Sequence, residues 1–233
     1  MALTPQSNEA FLREVDEELR RDEAMKLWKR WGVLGIAVVV AGLVALAGYL
    51  WWQSNSRNVA GEQGIKFNEA MNALGNQQPA KAEPILAELA KSGSEGYSAL
   101  AKFTQAAIAL QKPDLKTAAR LFAEVAGDSG TAQPLRDLAL VRQTLAEYDS
   151  LQPQVVIDRL RPMAVKGNPY FGTAGEMTAI AHLRMGRRDL AGRMFGEMAR
   201  DETVPASIRQ RAVQMAGVLG VDAVDQTEEK KAG

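Results

Sequence analysis

The hydrophobic positions fall into two patterns, one unbroken apolar run near the amino terminus and a helical periodicity after it. Residues 33–52 carry no charged side chain and are long enough to cross roughly 30 Å of hydrocarbon as one helix. Trp28 and Trp31 precede the run, and Trp51 and Trp52 end it, which is typical of side chains at the two membrane interfaces. The pattern therefore predicts a single transmembrane helix over residues 33–52.

A cleaved export signal is the alternative interpretation of the same run. Ala45 and Ala47 form the small-x-small pattern of a cleavage site, and residues 33–44 fit the apolar core of a signal peptide. Against this, the preceding residues hold at least as many acidic as basic groups, and the apolar run continues past the candidate site to Trp52. We therefore expect a retained membrane anchor.

The charges near the span predict its orientation. Lys26, Lys29 and Arg30 lie close to its amino-terminal end, whereas only Arg57 and Lys66 lie within 20 residues of its other end. Basic residues near a span remain on the cytoplasmic side. We expect a single-pass protein of the bacterial inner membrane with a cytoplasmic amino terminus and a periplasmic carboxy-terminal domain. The absence of cysteine suits an oxidising compartment.

Residues 1–32 are predicted to form a charged cytoplasmic helix that begins at Thr4 and Pro5. Acidic residues precede basic ones by four positions along it, a spacing that supports a helix: Glu9 and Arg13, Asp16 and Arg20, Glu17 and Arg21, Asp22 and Lys26. A narrow apolar stripe of Phe11, Val15 and Leu19 runs among these charges. The helix is either a solvated extension of the span or a surface that docks on a cytosolic partner or on membrane lipid.

Small side chains recur along one face of the predicted span. These residues are Ala37, Ala41, Gly42 and Ala45. Because small residues let another helix approach closely, this face is a candidate for helix packing in the membrane. The same spacing is common in simple anchors, so both interpretations remain open.

Residues 53–222 form one domain of ordinary size, followed by a polar tail, 223–233, that we expect to be disordered. The domain is rich in alanine and leucine, and Pro or Gly interrupts it every 15 to 20 residues, which predicts an all-α fold. We predict helices over 56–75, 79–91, 95–111, 114–126, 132–150, 153–166, 169–185, 187–200 and 205–219.

The predicted helices come in pairs with a recurring pattern. A shift of 36 residues aligns Phe67 with Phe103, Ala70 with Ala106, Ala82 with Ala118, and Leu86 with Phe122. A third copy places Ala179, Gly186, Ala191 and Phe195 on the same pattern, and a looser copy between them has Thr144, Val156 and Leu160. A small residue midway in the first helix permits close crossing, and the aromatic residue fills the gap to the next pair.

This unit of roughly 34 to 38 residues resembles the tetratricopeptide repeat over residues 64–200. The resemblance implies a solenoid of helix pairs, and an unrelated helical bundle is the alternative. It also implies that the first helix of each pair lines the concave side. Apolar residues on those faces are candidates for protein binding, or equally for the core between helices: Phe67, Met71, Leu74, Phe103, Leu110, Val141, Leu145, Tyr148 and Ile180.

The whole arrangement resembles a known family of membrane proteins. A charged lead-in FLREVDEELRRDEAMKLWKRWG, one Trp-flanked span and divergent helical repeats are similar to the YfgM-type family of ancillary SecYEG translocon subunits. The resemblance implies association with the SecYEG channel, with a membrane-anchored periplasmic chaperone of the prolyl-isomerase type (PpiD-like) and with exported polypeptides. The alternative function is a general cell-envelope scaffold, in cell division or outer-membrane assembly, with no role in secretion.

The sequence contains no pattern typical of catalysis. It has no G-x-S-x-G, no P-loop and no cysteine pair for a metal, and its single histidine, His182, lies in a predicted helix. Near-balanced charge in the domain argues against nucleic-acid binding. We therefore expect a non-enzymatic protein with no cofactor and no metal.

Overall fold

A computed structural model describes residues 6–93 and 95–223, and every regular element in those residues is an α-helix, so the predicted all-α class is confirmed. The helices are α1 (Gln6–Gly75), α2 (Pro79–Ala90), α3 (Glu95–Gln111), α4 (Leu115–Ala126), α5 (Gln133–Glu147), α6 (Pro153–Leu160), α7 (Phe171–Arg184), α8 (Arg188–Ala199) and α9 (Ala206–Val218). The chain divides into two compact units, Met1–Gly61 and Glu62–Gly233. The predicted cap at Thr4 and Pro5 lies outside the described residues.

Helix α1 is longer than the sequence pattern predicts. We expected a break between the span and a helix beginning at residue 56, but α1 continues without interruption to Gly75. The polar residues after Trp52 include no proline, and the Ser56 hydroxyl donates a hydrogen bond to the Trp52 carbonyl inside the helix. Because nothing in this segment removes a helical hydrogen bond, the helix has no reason to end there.

In two of the helix pairs, α1 with α2 and α7 with α8, a left-handed residue allows the chain to reverse. Gly186 has φ +73° and Gln77 has φ +57°. In both turns, the backbone N–H after the left-handed residue donates to a carbonyl five positions earlier, Arg187 to His182 and Gln78 to Ala73. This closure satisfies carbonyl groups that the helix end leaves unpaired.

Three connections between helix pairs contain the same type of turn, in which a side chain accepts a hydrogen bond from the backbone. The side chains of Asp128, Asn168 and Asp201 each accept a hydrogen bond from the backbone N–H two residues later. Such turns fix the chain just before α5, α7 and α9 begin. The hydrogen bonds from Thr131 to Asp128 and from Thr203 to Asp201 lower the pKa of both carboxyl groups.

Helix α6 ends earlier than predicted. The pattern predicted a helix to residue 166, but α6 ends at Leu160 and an irregular segment runs to Tyr170. Pro162 has no backbone N–H and its ring clashes with the preceding turn of a helix, so it stops α6. Met163 and Ala164 nevertheless remain buried against α7.

The core of the second unit is a succession of apolar clusters that join one helix pair to the next. The aligned small positions of both helices of a pair and the large position of the second helix are buried, including those of the looser copy, whereas Gly186 of the third copy lies in an exposed turn. None of the following positions is more than 3% exposed: Ala70, Ala106, Thr144, Ala179; Ala82, Ala118, Val156, Ala191; Leu86, Phe122, Leu160, Phe195. The same interior positions are therefore used four times, as expected for a helical repeat.

The last described residues pack against α8. A Cβ placed at Gly192 would lie 2.9 Å from Cγ2 of Val221, and one at Gly196 would lie 3.0 Å from Cγ1 of the same residue. Ala223, where the predicted tail was to begin, is buried in the last cluster. Residues 224–233 lie outside the described part of the chain.

Candidate protein-binding groove

An apolar groove of about 860 Å³ lies between the last turns of α1 and helix α3. Met71 and Leu74 line its α1 side, and Leu100, Phe103 and Ala107 line its α3 side. The polar residues that line it are uncharged. The groove therefore offers apolar contact area and places no formal charge against a ligand.

Phe103, the aromatic residue that lines the groove, is held in place by packing against α4. The Phe103 ring lies 5.5 Å from the Phe122 ring of α4, centroid to centroid, and tilted by 57°. Ala106, three residues further along the same side of α3, is fully buried in the same cluster and lets α4 approach closely. Phe103 therefore keeps one orientation and presents its other surface to the groove.

Two of the lining side chains are substantially exposed. Met71 is 43% exposed and Leu100 is 38% exposed. Water contacts these apolar surfaces, so a partner that covered them would gain about 25 cal/mol for each Å² removed from water. This gain makes the groove a plausible binding surface.

Two lysines, one on α1 and one just after α3, pair with carboxylates of α2 and do not line the groove. Lys66 of α1 donates a hydrogen bond to Glu88, and Lys112 beyond α3 donates one to Glu83, 2.8 Å from its carboxylate oxygen. The hydrogen bond that Lys66 donates to Glu88 raises the pKa of Lys66. These two exposed ion pairs link α2 to α1 and to the end of α3. None of the four side chains lines the groove.

The structure separates the predicted binding residues into several groups. Met71, Leu74 and Phe103 meet in the groove, whereas Phe67 packs on Tyr97 with ring centroids 6.1 Å apart. Leu110 is partly exposed on α3 but does not line the groove.

The remaining predicted residues lie elsewhere. Val141 is 3% exposed and is covered by α6 and α7, so it lies in the core between helices, which is the alternative interpretation given above for these apolar residues. The Tyr148 hydroxyl donates to the Met177 carbonyl, and the ring packs beneath Arg184, which makes Tyr148 a link between pairs. Burial is the main cause of its raised pKa.

Leu145 lies in a different groove, between α4 and α5, and Ile180 is partly exposed on α7. Leu100 was missed by the sequence reasoning. Its spacing three residues before Phe103 was the available signal, because that spacing places both on one helix face.

The candidate packing face of the membrane span is open in the structure. Ala37, Ala41, Gly42 and Ala45 are all exposed on α1, and nothing in the described structure contacts a Cβ placed at Gly42. Of the described helices, α1 alone is long and apolar enough, from Leu34 onward, to cross a membrane by length and composition.

His182 lies near the end of α7, and its Nδ1 atom is buried without a partner among the described residues. Burial is the main cause of its lowered pKa, and the nearby positive charge of Arg187 adds to the shift. A metal ion needs several ligands, and no group of three or more His, Asp or Glu side chains that fits one occurs within residues 6–93 and 95–223.

Comparison with known families gives one match. The model of the tetratricopeptide repeat-like domain matches residues 25–162, which is more than half of the chain. The buried repeat positions continue beyond the matched region, at Ala179, Ala191 and Phe195. No curated protein and no solved structure matches the chain.

Proposed function

Because the chain belongs to the tetratricopeptide repeat-like family, whose domains mediate protein–protein interaction, we propose that it is a membrane-anchored interaction subunit. Its groove between α1 and α3 binds an apolar segment of another polypeptide. The observation that carries this proposal is the uncharged lining with Met71 and Leu100 exposed to water. A partner segment with two or three large apolar side chains suits such a surface.

The proposal extends to a place of action. The protein acts in the bacterial inner membrane with its repeats in the periplasm, beside the SecYEG channel and a PpiD-like chaperone, and contacts newly exported chains. The basic flank of the span and the resemblance of the lead-in and architecture to the YfgM-type family support this. Anchoring near the exit of a channel raises the effective concentration of the groove, so weak apolar contacts suffice.

A general envelope scaffold is the competing function. The same small residues on α1 and the same groove also suit a stable complex that is unrelated to secretion. Capture from mild detergent separates the two, by whether channel subunits or other envelope proteins are recovered with the full chain.

A matched pair of variants assigns the captured proteins to the groove. Leu100 and Leu190 are 38% and 39% exposed, but only Leu100 lies in the groove. Leu100→Glu places a charge against the bound apolar segment and should reduce partner recovery by roughly tenfold, since about 1.4 kcal/mol of lost contact is tenfold in affinity. Leu190→Glu should leave recovery unchanged, and equal loss in both variants would refute the assignment.

The topology has its own test. A reporter fused after Gly233 should be active only in a periplasmic form, and a tag before Met1 should resist external protease in spheroplasts. A mature protein beginning near Gly48 would contradict the retained anchor, because it would show cleavage after Ala47.

A further inference from the structure

A second groove, of about 710 Å³, lies between α4 and α5 on the repeat unit. Leu115 at the start of α4 is 52% exposed and Leu145 on α5 is 51% exposed, and both line it. Small side chains, Ala119 and Ala146 among them, also line the groove, which keeps it open to another side chain. It differs from the α1–α3 groove in its charges.

The two sides of this groove carry opposite charges. Lys116 and Arg120 lie on the α4 side, and Glu147 and Asp149 lie on or just after α5. Each side also contributes one large apolar residue, Leu115 from α4 and Leu145 from α5. We name this arrangement the two-sign groove.

Two of its four charges are already neutralised within the chain. Arg120 pairs with Glu124 and Glu147 pairs with Arg159. Lys116 and Asp149, by contrast, are exposed and form no ion pair with any residue that the structure describes. Each is therefore available to a charge on another molecule.

We propose that the two-sign groove binds a second copy of this chain through a two-fold symmetric contact. A two-fold interface joins the same patch on both copies, so the patch must complement itself. A patch with one positive side, one negative side and an exposed leucine on each side meets that requirement. Lys116 of each copy faces Asp149 of the other, and Leu115 of each copy packs against Leu145 of the other.

The charge pattern favours a second copy over a segment of another protein. The α1–α3 groove carries no charge and accepts any apolar segment, whereas the two-sign groove selects a partner with the inverse order of charges. A two-fold rotation of the chain itself supplies that inverse order. The surface that lines the groove is much smaller than the roughly 800 Å² per partner that stable interfaces bury. The contact is therefore weak and is measured on the full chain in membranes. It does not depend on the proposed partner of the α1–α3 groove.

Disulfide crosslinking tests the geometry, because the natural chain has no cysteine. Two differently tagged full chains are co-expressed, one with Leu115→Cys and the other with Leu145→Cys, so that a bond between the tags is a bond between copies. Oxidation in membranes should link them. Pairing Leu115→Cys with Val218→Cys, whose position on α9 is 73% exposed, should give no link.

Charge reversal tests the recognition. Lys116→Glu alone brings two carboxylates together at both symmetry-related contacts, and Asp149→Lys alone brings two ammonium groups together. In each variant by itself, the yield of crosslinked product should fall roughly tenfold. One exposed ion pair contributes only modestly, but the two-fold contact loses two of them. Mixing the two variants restores an opposite pair at both contacts, so the crosslink should return.

The outcomes are distinguishable. Recovery of the crosslink only in the mixture supports the two-fold contact. Equal crosslinking in all combinations, no crosslink in the starting pair, or bonds from Leu115→Cys only to other proteins would each overturn it. Both charged positions are exposed, so unchanged thermal unfolding of each variant verifies that folding is intact.

Discussion

The repeat register predicts opposite consequences for two adjacent alanines on α3. Ala106 is fully buried among Ala118, Leu121 and Phe122, whereas the neighbouring Ala107 is exposed. Ala106→Asp and Ala107→Asp make the same chemical change in the same helix turn. The loss of helix propensity is therefore the same, on the order of 0.7 kcal/mol, and the difference between them isolates burial.

The expected difference follows from the surroundings of Ala106. The described residues that enclose it are apolar, so an introduced carboxylate has no partner and costs roughly 3 to 5 kcal/mol. For a domain of this size, 1 kcal/mol corresponds to about 2 to 4 °C in Tm, so Ala106→Asp should melt roughly 6 to 20 °C below Ala107→Asp. Ala118→Asp and Ala191→Asp should behave as Ala106→Asp does, since both positions are fully buried.

Thermal unfolding of the full chain in detergent, followed by circular dichroism, measures this difference. The buried carboxyl group should have a raised pKa in the folded state. Its penalty is therefore absent below the unfolded value of about 3.9 and grows as pH rises towards the folded pKa, so Ala106→Asp should recover part of its stability at pH 4. Similar melting of the two variants at pH 7.5 would refute the repeat register.

Four further substitutions test two turns, the carboxy-terminal packing and the cap of α4. Gln77 and Gly186 both have a left-handed backbone conformation, which favours glycine. In urea unfolding, Gln77→Gly should therefore stabilise the fold by about 1 kcal/mol, and Gly186→Ala should destabilise it by about the same amount. Gly196→Ala should destabilise the wild type through its close approach to Val221, yet stabilise the Val221→Ala background by roughly 0.8 kcal/mol in a double-mutant cycle, because Val221 is its only tight neighbour. Asp114→Ala should destabilise the fold at pH 7, because the Asp114 carboxylate accepts a hydrogen bond from the Thr117 N–H and so caps the first turn of α4. That hydrogen bonding lowers the pKa of Asp114 in the folded state. The difference in unfolding free energy between wild type and variant should therefore disappear in an acid titration, as the pH falls below 3.8 and through the lowered pKa.

The repeat positions were predictable from sequence because the same physical demand recurs. Each close crossing of two helices requires a small residue, and each gap between pairs requires a large apolar one, so Ala70 and Ala106 or Leu86 and Phe122 stand out at a fixed spacing. Even the looser copy with Thr144 obeys the rule. Its hydroxyl is satisfied by the Leu140 carbonyl of the preceding turn, 2.7 Å away.

The binding face was less predictable. Val141 and Leu145 are four residues apart on one face of α5, yet the first is 3% exposed and the second 51% exposed. Periodicity identifies an apolar face but does not say which part of it a neighbouring helix covers. The early end of α6 depends on the same kind of context, since Met163 and Ala164 continue the apolar pattern outside a helix.

The most direct test of the central claim is site-specific photocrosslinking from the α1–α3 groove in living cells. A photoreactive residue at Leu100 should capture newly exported polypeptides, together with channel subunits or the membrane-anchored chaperone, while the same residue at the equally exposed Leu190 should not. Capture from Leu100 confined to an envelope complex unrelated to secretion, or equal capture from both positions, would contradict the account.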